Sequence, residues 1–297
     1  MQNIKLTQQN LKYFFSPIGP LHSQHTETYW PYDFVDRNSK TLYVTIGDSW
    51  TWGSGILGAY IDYTSSVRQQ EERKQNLYGN IISKNKNYDW LNLGCSATGN
   101  YWIVDKVFEL RRLLPRLEYD KVIVHCVFTG VGRWFGTWQD SIEDHKHFFQ
   151  SNIGTNEQDY ENFLVDLNRK QIAKIQLLFS STDNVEFYVG TNAVELCGTD
   201  HLPKKHIINK PWYHLLTETR LDNIFIDIES IKYLPNIENY LITSDQKFAF
   251  QKWMMEKIQQ AETQDEMLGQ MPCVEDKGHP NAQGHETYAK YILENLL

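Results

Sequence analysis

The 297-residue chain lacks the features that mark membrane, exported and nucleic-acid-binding proteins. No apolar run approaches the roughly 20 residues of a transmembrane helix, and the N-terminal segment has no apolar core of a signal peptide. Lys and Arg (29) are outnumbered by Asp and Glu (37), and no basic cluster forms a track for phosphates. The formal net charge of −8 disfavours binding to nucleic acid or anionic lipid. We expect a cytoplasmic or otherwise soluble protein with no nucleic-acid or membrane partner.

Cysteine is scarce, and its positions do not suggest a disulfide framework. The first two cysteines stand in apolar, strand-like segments, which is typical of reduced packing side chains. The four residues are far apart in the chain: Cys95, Cys126, Cys197 and Cys273. Internal repeats, low-complexity tracts and Gly/Ser linkers are also absent from the sequence. Nothing in this pattern divides the chain into separate domains.

The chain does contain an alternation of strand-like and helix-like segments. Five short runs rich in β-branched or aromatic residues predict buried parallel strands: Leu42–Ile46, Trp90–Leu93, Lys121–Phe128, Val185–Gly190 and Asn223–Ile228. Three amphipathic segments predict helices: Tyr101–Leu117, Tyr160–Ser181 and Ala282–Leu296. This alternation favours an α/β fold with a mostly parallel five-stranded sheet, covered by helices on both faces.

Segments of different composition surround and interrupt this alternation. Residues 1–40 are polar and aromatic, and we expect an N-terminal extension packed on a single domain at 41–297. The charged run Arg68–Lys74 predicts a solvated helical face. Loop insertions are expected at about 134–158 and 195–216, after the third and fourth strands. Loops at this edge of a sheet are common carriers of specificity.

Polar and small residues follow three of the predicted strands. Ser49 follows the first strand, residues 97–100 follow the second, and residues 129–133 follow the third. Open parallel sheets bind ligands beyond the carboxyl ends of their strands. The sequence therefore predicts that these three segments meet at one edge of the sheet.

Serine, histidine and aspartate stand at the two ends of the predicted domain. Ser49 enters a turn directly after the first strand, and Asp276 precedes His279 by three residues, just before the last helix. A serine hydroxyl becomes a nucleophile when a histidine takes its proton and a carboxylate orients that histidine. The same spacing joins Asp144 to His147 within a charged insertion, so a chance occurrence is an open alternative. The Gly/Pro-containing loop before the last helix favours His279.

These motifs resemble the SGNH (GDSL-type) hydrolases, a family of esterases, lipases and carbohydrate deacetylases with a flavodoxin-like three-layer α/β/α fold. Three blocks carry the resemblance, in the family's order: Gly47-Asp48-Ser49, Asn92-Leu-Gly-Cys-Ser-Ala97 and Asp276-Lys-Gly-His279-Pro-Asn281. The resemblance implies Ser49 as the nucleophile, His279 as the general base and acid, and Asp276 as the orienting carboxylate.

Two blocks depart from the family pattern, and both concern the oxyanion hole. Where the family often has a glycine, this chain has Ala97, whose backbone N–H can still donate. Where the family usually has an asparagine, alignment on the strand end places Thr129, whose hydroxyl offers one hydrogen bond. The resemblance thus implies a hole made by Ser49, Ala97 and Thr129. Thr129 is either a working substitute or a sign of weakened catalysis.

Candidate substrate-binding residues lie on the segments that leave the strand ends: Trp50, Trp52, Gly94, Asn100, Arg133 and Trp134. Tryptophan faces stack well on sugar rings, and ordinary packing is the alternative for each of them. Arg133 either holds an acidic substrate group or pairs with a loop carboxylate. Cys197, His201 and His206 do not match the spacing of a tetrahedral site, so we predict no metal and no cofactor.

The sequence therefore predicts a serine esterase that forms an acyl-enzyme. The expected substrate is an ester of a small acyl group, with acetyl favoured, and of a small molecule or a glycan. Two alternatives stay open. One is a carbohydrate-binding or structural protein with little turnover on the same fold, and the other is an O-acyltransferase. The sequence determines neither the alcohol nor the oligomeric state.

Overall fold

The computed structural model describes the central sheet and the helices around it. The described residues are 4–16, 31–56, 66–96, 98–129, 157–180, 182–192, 206–208, 212, 215, 274–275 and 279–297. The strand predicted at Asn223–Ile228 lies outside these ranges, as do most residues of the two predicted loop insertions.

A five-stranded sheet forms the centre of the described structure, in the order β1-β3-β2-β4-β5. The strands are β1 (Asp33–Val35), β2 (Thr41–Gly47), β3 (Asp89–Asn92), β4 (Lys121–Phe128) and β5 (Val185–Thr191). Strands β2 to β5 run parallel, and β1 pairs antiparallel with β3. The prediction of a mostly parallel sheet is confirmed, and four of the five predicted strands match within one residue at each end.

Six helices accompany the sheet in the described part of the chain. They are α1 (Ser49–Trp52), α2 (Val67–Asn76), α3 (Tyr78–Lys86), α4 (Asn100–Leu113), α5 (Glu157–Ser180) and α6 (Ala282–Asn295). The three predicted helices are confirmed as α4, α5 and α6. Helix α4 gives way to a 3-10 turn at Leu114–Arg116, because Pro115 lacks the N–H that would continue the helix. None of the described helices combines the length and apolar character needed to cross a bilayer.

The strands bury alternate side chains against two helical layers. Leu42, Val44 and Ile46 of β2 belong to the cluster that includes the buried residues of α4 and α5. Tyr43 of β2 faces the other way and packs with α3 and α6. This alternation is the period of two that a strand imposes on its side chains. The result is the predicted three-layer α/β/α arrangement.

The N-terminal segment contributes to the core and adds a strand that was not predicted. Leu6, Leu11, Phe15 and Tyr32 are buried in the cluster that covers one face of the sheet. Strand β1 lies at the edge of the sheet beside β3. Three residues are too few to show a strand periodicity, so pairing with β3 determines this strand.

Helix α2 contains the charged run that was predicted to be a solvated helical face. The helix forms, with a capping box in which Ser66 and Gln69 bond each other's side chain and backbone. The prediction of a solvated face is wrong at Arg73, whose side chain is only 2% exposed. Its partners lie next to the serine turn, and no local pattern signals them.

Candidate active site

Ser49 is the first residue of α1, at the carboxyl end of β2. Asp48 is the N-cap, and its carboxylate accepts a hydrogen bond from the Trp50 N–H at 3.0 Å. Gly53 ends the helix in the left-handed conformation (φ 88°), and its N–H donates to the Ser49 carbonyl at 2.8 Å. A single helical turn that is capped at both ends holds the serine, which is 5% exposed.

Two glycines allow this turn to lie against the strand ends. A Cβ at Gly47 would approach Thr51 Oγ1 to 2.1 Å, and a Cβ at Gly94 would approach the Trp52 nitrogen to 2.8 Å. The Gly94 N–H also donates to Asn92 Oδ1 at 3.0 Å. Gly94 was a candidate for substrate binding, and the structure shows it packed against the backbone of α1.

Gly94→Ala is expected to lower the free energy of unfolding by about 1–3 kcal/mol and to slow any reaction at Ser49. The added methyl group meets backbone atoms of α1, so the turn must move. Urea unfolding and the rate of active-site labelling measure the two effects. Gly190→Ala is the matched control, since its nearest contacts are the side chains of Ile208 and Tyr288 at 3.2–3.3 Å. Wild-type stability in Gly94→Ala would contradict the prediction.

His279 lies in hydrogen-bonding contact with Ser49. Its Nε2 is 2.9 Å from Ser49 Oγ, although 230 residues separate the two in the chain. The histidine is half-buried and forms the two-residue strand β7 (His279–Pro280), where it pairs with Glu275 of β6 (Val274–Glu275). If Ser49 donates, Nε2 accepts and the proton of the neutral ring is on Nδ1. This is the arrangement in which a histidine can take the proton of a serine.

The C-terminal helix begins directly after this histidine. Asn281 caps α6, and its side chain accepts a hydrogen bond from the Gly284 N–H at 3.1 Å. The cap fixes where the chain turns from β7 into the helix. Asp276 lies outside the described residues, as do Asp144 and His147 of the alternative pair.

Thr129 follows β4, and its backbone is held by the side chain of Asn100. Asn100 Oδ1 accepts from the Thr129 N–H at 2.9 Å, and Asn100 Nδ2 donates to the Thr129 carbonyl at 3.1 Å. Asn100 is fully buried at the first turn of α4. Its amide fixes the backbone of Thr129 and is not open to a ligand in this structure. Asn100 is therefore left out of the substrate-binding set.

The tryptophans that were candidates for substrate binding differ in exposure. Trp50 is half-buried, and its ring meets that of Trp212 edge-on at 5.5 Å. Trp52 is fully buried in the core behind the turn, so it has no surface for a ligand. Ala97, Arg133 and Trp134 lie outside the described residues.

Sequence reasoning missed Asn192, which links the serine turn to β5. It follows β5 directly and is 2% exposed. Its side-chain N–H donates to Asp48 Oδ2 at 2.7 Å, and its backbone N–H donates to the Phe128 carbonyl at 3.0 Å. The sequence does contain a signal for this residue, because Asn192 is polar and follows a predicted strand at the edge of the sheet that carries Ser49.

A second histidine lies near the site but is kept neutral. His285 of α6 is fully buried, and its Nδ1 accepts from the Tyr78 N–H at 3.3 Å. Burial, with smaller contributions from the neighbouring Arg73 and His279, lowers the pKa of His285 to about 3. It therefore carries no charge at neutral pH beside His279. Among the described residues, no group of three or more potential ligands is placed to hold a metal ion.

Comparisons with known proteins give matches among solved structures alone. No protein-family model matches the chain. No curated protein matches it either. One similar structure is a member of the lipolytic protein G-D-S-L family from Veillonella parvula, with 12% identity and a TM-score of 0.34 over 86% of this chain and 97% of the other.

Two further similar structures are carbohydrate esterases. One, whose active site displays divergent catalytic and non-catalytic binding functions, has 12% identity and a TM-score of 0.36, over 87% of this chain and 68% of the other. The other, a family 2 enzyme with a carbohydrate-binding domain from Myceliophthora fergusii, has 13% identity and a TM-score of 0.31, over 86% of this chain and 65% of the other. The α/β architecture predicted from the strand–helix alternation is shown by the chain's own sheet, in which strands β2 to β5 run parallel.

Proposed function

We propose that the chain is a serine esterase of the SGNH type. The observation that carries the proposal is the 2.9 Å contact between Ser49 Oγ and His279 Nε2. The two residues come from opposite ends of the chain. Ser49 begins a helical turn that is capped at both ends, and His279 lies two residues before Asn281, the N-cap of α6. A serine and a histidine in this contact can perform nucleophilic acyl transfer.

The reaction begins when Ser49 Oγ attacks the ester carbonyl and His279 Nε2 takes the serine proton. The tetrahedral intermediate then expels the alcohol, which receives that proton from His279. Water attacks the acyl-enzyme with His279 as the base, and the carboxylic acid leaves as Ser49 regains its proton. Asp276 is proposed to orient the ring through the Nδ1 proton.

The oxyanion is proposed to bind the Ser49 N–H, the Ala97 N–H and the Thr129 hydroxyl. Ser49 is the first residue of α1, and the N–H groups of a first turn have no acceptor within their helix. The reciprocal hydrogen bonds from Asn100 fix the backbone of Thr129 at the same edge of the sheet. Preorganised donors of this kind account for a large part of enzymatic acyl transfer.

The proposed substrate is a carbohydrate that carries a small ester-linked acyl group, with acetyl favoured. Ser49 is 5% exposed, and a compact acyl group reaches a buried serine more easily than a long chain does. The half-buried ring of Trp50 stands next to the nucleophile and offers an apolar surface for a sugar ring.

Active-site labelling tests the proposal directly. A fluorophosphonate probe is expected to label the wild type on the peptide that carries Ser49, and p-nitrophenyl acetate is expected to be hydrolysed. Acetate release from a panel of O-acetylated glycans then identifies the alcohol, and an added acceptor sugar distinguishes hydrolysis from transfer. A folded wild type that is inert to both reagents would overturn the proposal in favour of a binding protein.

A further inference from the structure

Arg73 lies directly behind the turn that carries Ser49. Its Nη1 donates to the carbonyl of Trp52, the last residue of α1, at 2.6 Å. The guanidinium also lies over the Trp52 ring, 4.3 Å from its centroid. Both contacts act on the residue three positions after the nucleophile.

A four-residue helix needs such an anchor. One helical turn forms few internal hydrogen bonds, and short helices depend on contacts from outside for their stability. The last carbonyl groups of a helix receive no hydrogen bond from an N–H group of the same helix. A cation at this end also complements the helix dipole. Arg73 supplies both a donor and a positive charge to the C-terminal end of α1.

The guanidinium itself is held by a carboxylate from the N-terminal segment. Arg73 Nη2 donates to both oxygens of Asp33 at 2.9 Å, and Nε donates to Gln70 at 3.0 Å. Asp33 also accepts from Asn92 Nδ2 at 3.2 Å. The side chain of Arg73 is 2% exposed and that of Asp33 is 12% exposed, so water screens this ion pair weakly.

The same network reaches the segment that follows β3. Asn92 Oδ1 accepts from the Gly94 N–H at 3.0 Å and from the Thr45 hydroxyl at 3.1 Å. Gly94 is the residue that packs against the backbone of α1. One continuous set of buried hydrogen bonds therefore joins β1, β2, β3 and the serine turn.

We propose that Arg73 is a positioning residue for the nucleophile, and that Asp33 in β1 holds it in place. Arg73 does not contact the serine hydroxyl. It acts through the Trp52 carbonyl, which sets the orientation of α1 and hence the direction of Ser49 Oγ toward His279. The inference rests on the proposed esterase function, and it links Asp33 of the N-terminal segment to the position of the nucleophile.

Two variants separate positioning from general stability. Arg73→Met keeps an apolar stem over Trp52 and loses the donor to its carbonyl. The double variant Arg73→Met with Asp33→Asn also removes the carboxylate that the single change leaves unpaired, while retaining an acceptor for Asn92. Removing one partner of a buried ion pair leaves an unpaired charge and destabilises a protein strongly, whereas neutralising both partners destabilises it much less. The double variant is therefore expected to recover most of the stability that the single variant loses.

Activity is expected to behave differently from stability. In both variants kcat and the rate of fluorophosphonate labelling should fall about 10- to 100-fold, because small displacements of a reacting group have effects of this size. KM should stay within about threefold, because Arg73 lies behind the turn and a loss confined to the transition state lowers kcat without changing substrate binding. Urea unfolding, labelling and steady-state kinetics are measured on the same samples.

The outcomes distinguish this inference from the proposed function. Low kcat in a double variant of recovered stability supports positioning, and wild-type kcat in that variant overturns it. If neither variant folds, Arg73→Lys retains the charge beside Asp33 but cannot reproduce the guanidinium fork. A folded Arg73→Lys with wild-type kcat overturns the inference, and one with lowered kcat supports it. An inert wild type would overturn the proposed function and this inference together.

Discussion

Ser49→Ala and His279→Ala are each expected to lower kcat/KM for p-nitrophenyl acetate by about 10³- to 10⁶-fold. In the proposed reaction, the serine supplies the electron pair that forms the acyl-enzyme, and the histidine 2.9 Å away takes its proton. Each of the two residues accelerates the reaction only when the other is present. The double variant is therefore expected to be no slower than the worse of the two single variants, which is the signature of residues that act as a unit.

Matched controls come from the same parts of the structure. Ser54→Ala removes another buried hydroxyl close to the serine turn, one that is 3.0 Å from the Ser96 hydroxyl. His206→Gln changes a half-buried histidine whose ring lies 2.9 Å from the Phe187 carbonyl. Both variants should remain within about tenfold of wild-type activity. Additive losses in the double variant, or full activity in either single variant, would rule out the Ser49–His279 pair as the reacting unit.

The second large effect is a loss of stability in mild acid. His125 of β4 is 1% exposed, with Nδ1 2.9 Å from the hydroxyl of Tyr43 and Nε2 3.2 Å from the hydroxyl of Tyr288. Burial lowers the pKa of His125 to about 3, as it does for His285. Burial also raises the pKa values of Tyr43, Tyr288 and Tyr78, so the hydroxyls around these histidines stay neutral. No carboxylate among the described contacts of His125 compensates a positive ring.

The direction of the effect follows from the protons bound in each state. An unfolded histidine titrates near pH 6.5, whereas His125 and His285 titrate near pH 3 in the folded chain. Between these two pH values the histidines bind protons in the unfolded chain and not in the folded chain. The stabilisation is fully present above pH 6.5 and is lost as the pH falls. Each buried histidine is expected to remove about 2 kcal/mol of unfolding free energy between pH 7.5 and pH 5.

Urea unfolding at pH 7.5 and pH 5 measures this effect. The variant His125→Gln should show a difference between the two pH values that is smaller by about 2 kcal/mol. Tyr43→Phe is the control, because it removes a partner of His125 while leaving the titrating ring, so its pH difference should match the wild type. His285→Gln provides the same test if His125→Gln does not fold. The prediction would be contradicted if both histidine variants lost as much unfolding free energy between pH 7.5 and pH 5 as the wild type does.

Much of the fold could be predicted from local patterns. Buried parallel strands are continuous apolar runs, and β4 at Lys121–Phe128 was predicted with the bounds it has in the structure. Strand β1 could not be predicted, because its three residues carry no periodicity and its partner is β3. The burial of Arg73 was missed for a related reason. A charged run looks solvated until the carboxylate that pairs with it, 40 residues earlier in the chain, is known.

The candidate site divides in the same way. The sequence by itself predicted Ser49 and His279 as the reacting pair, because a serine after a strand and an Asp-x-x-His spacing before a helix are local signals. Only the tertiary structure decided that Ser49 and His279 meet, since 230 residues separate them and sheet packing brings them together. It also decided that Asn100 and Trp52 are buried, while Asn192 and Arg73 hold the serine turn. Hydrogen-bond partners depend on which chain segments become neighbours, and that is settled by packing of the whole sheet.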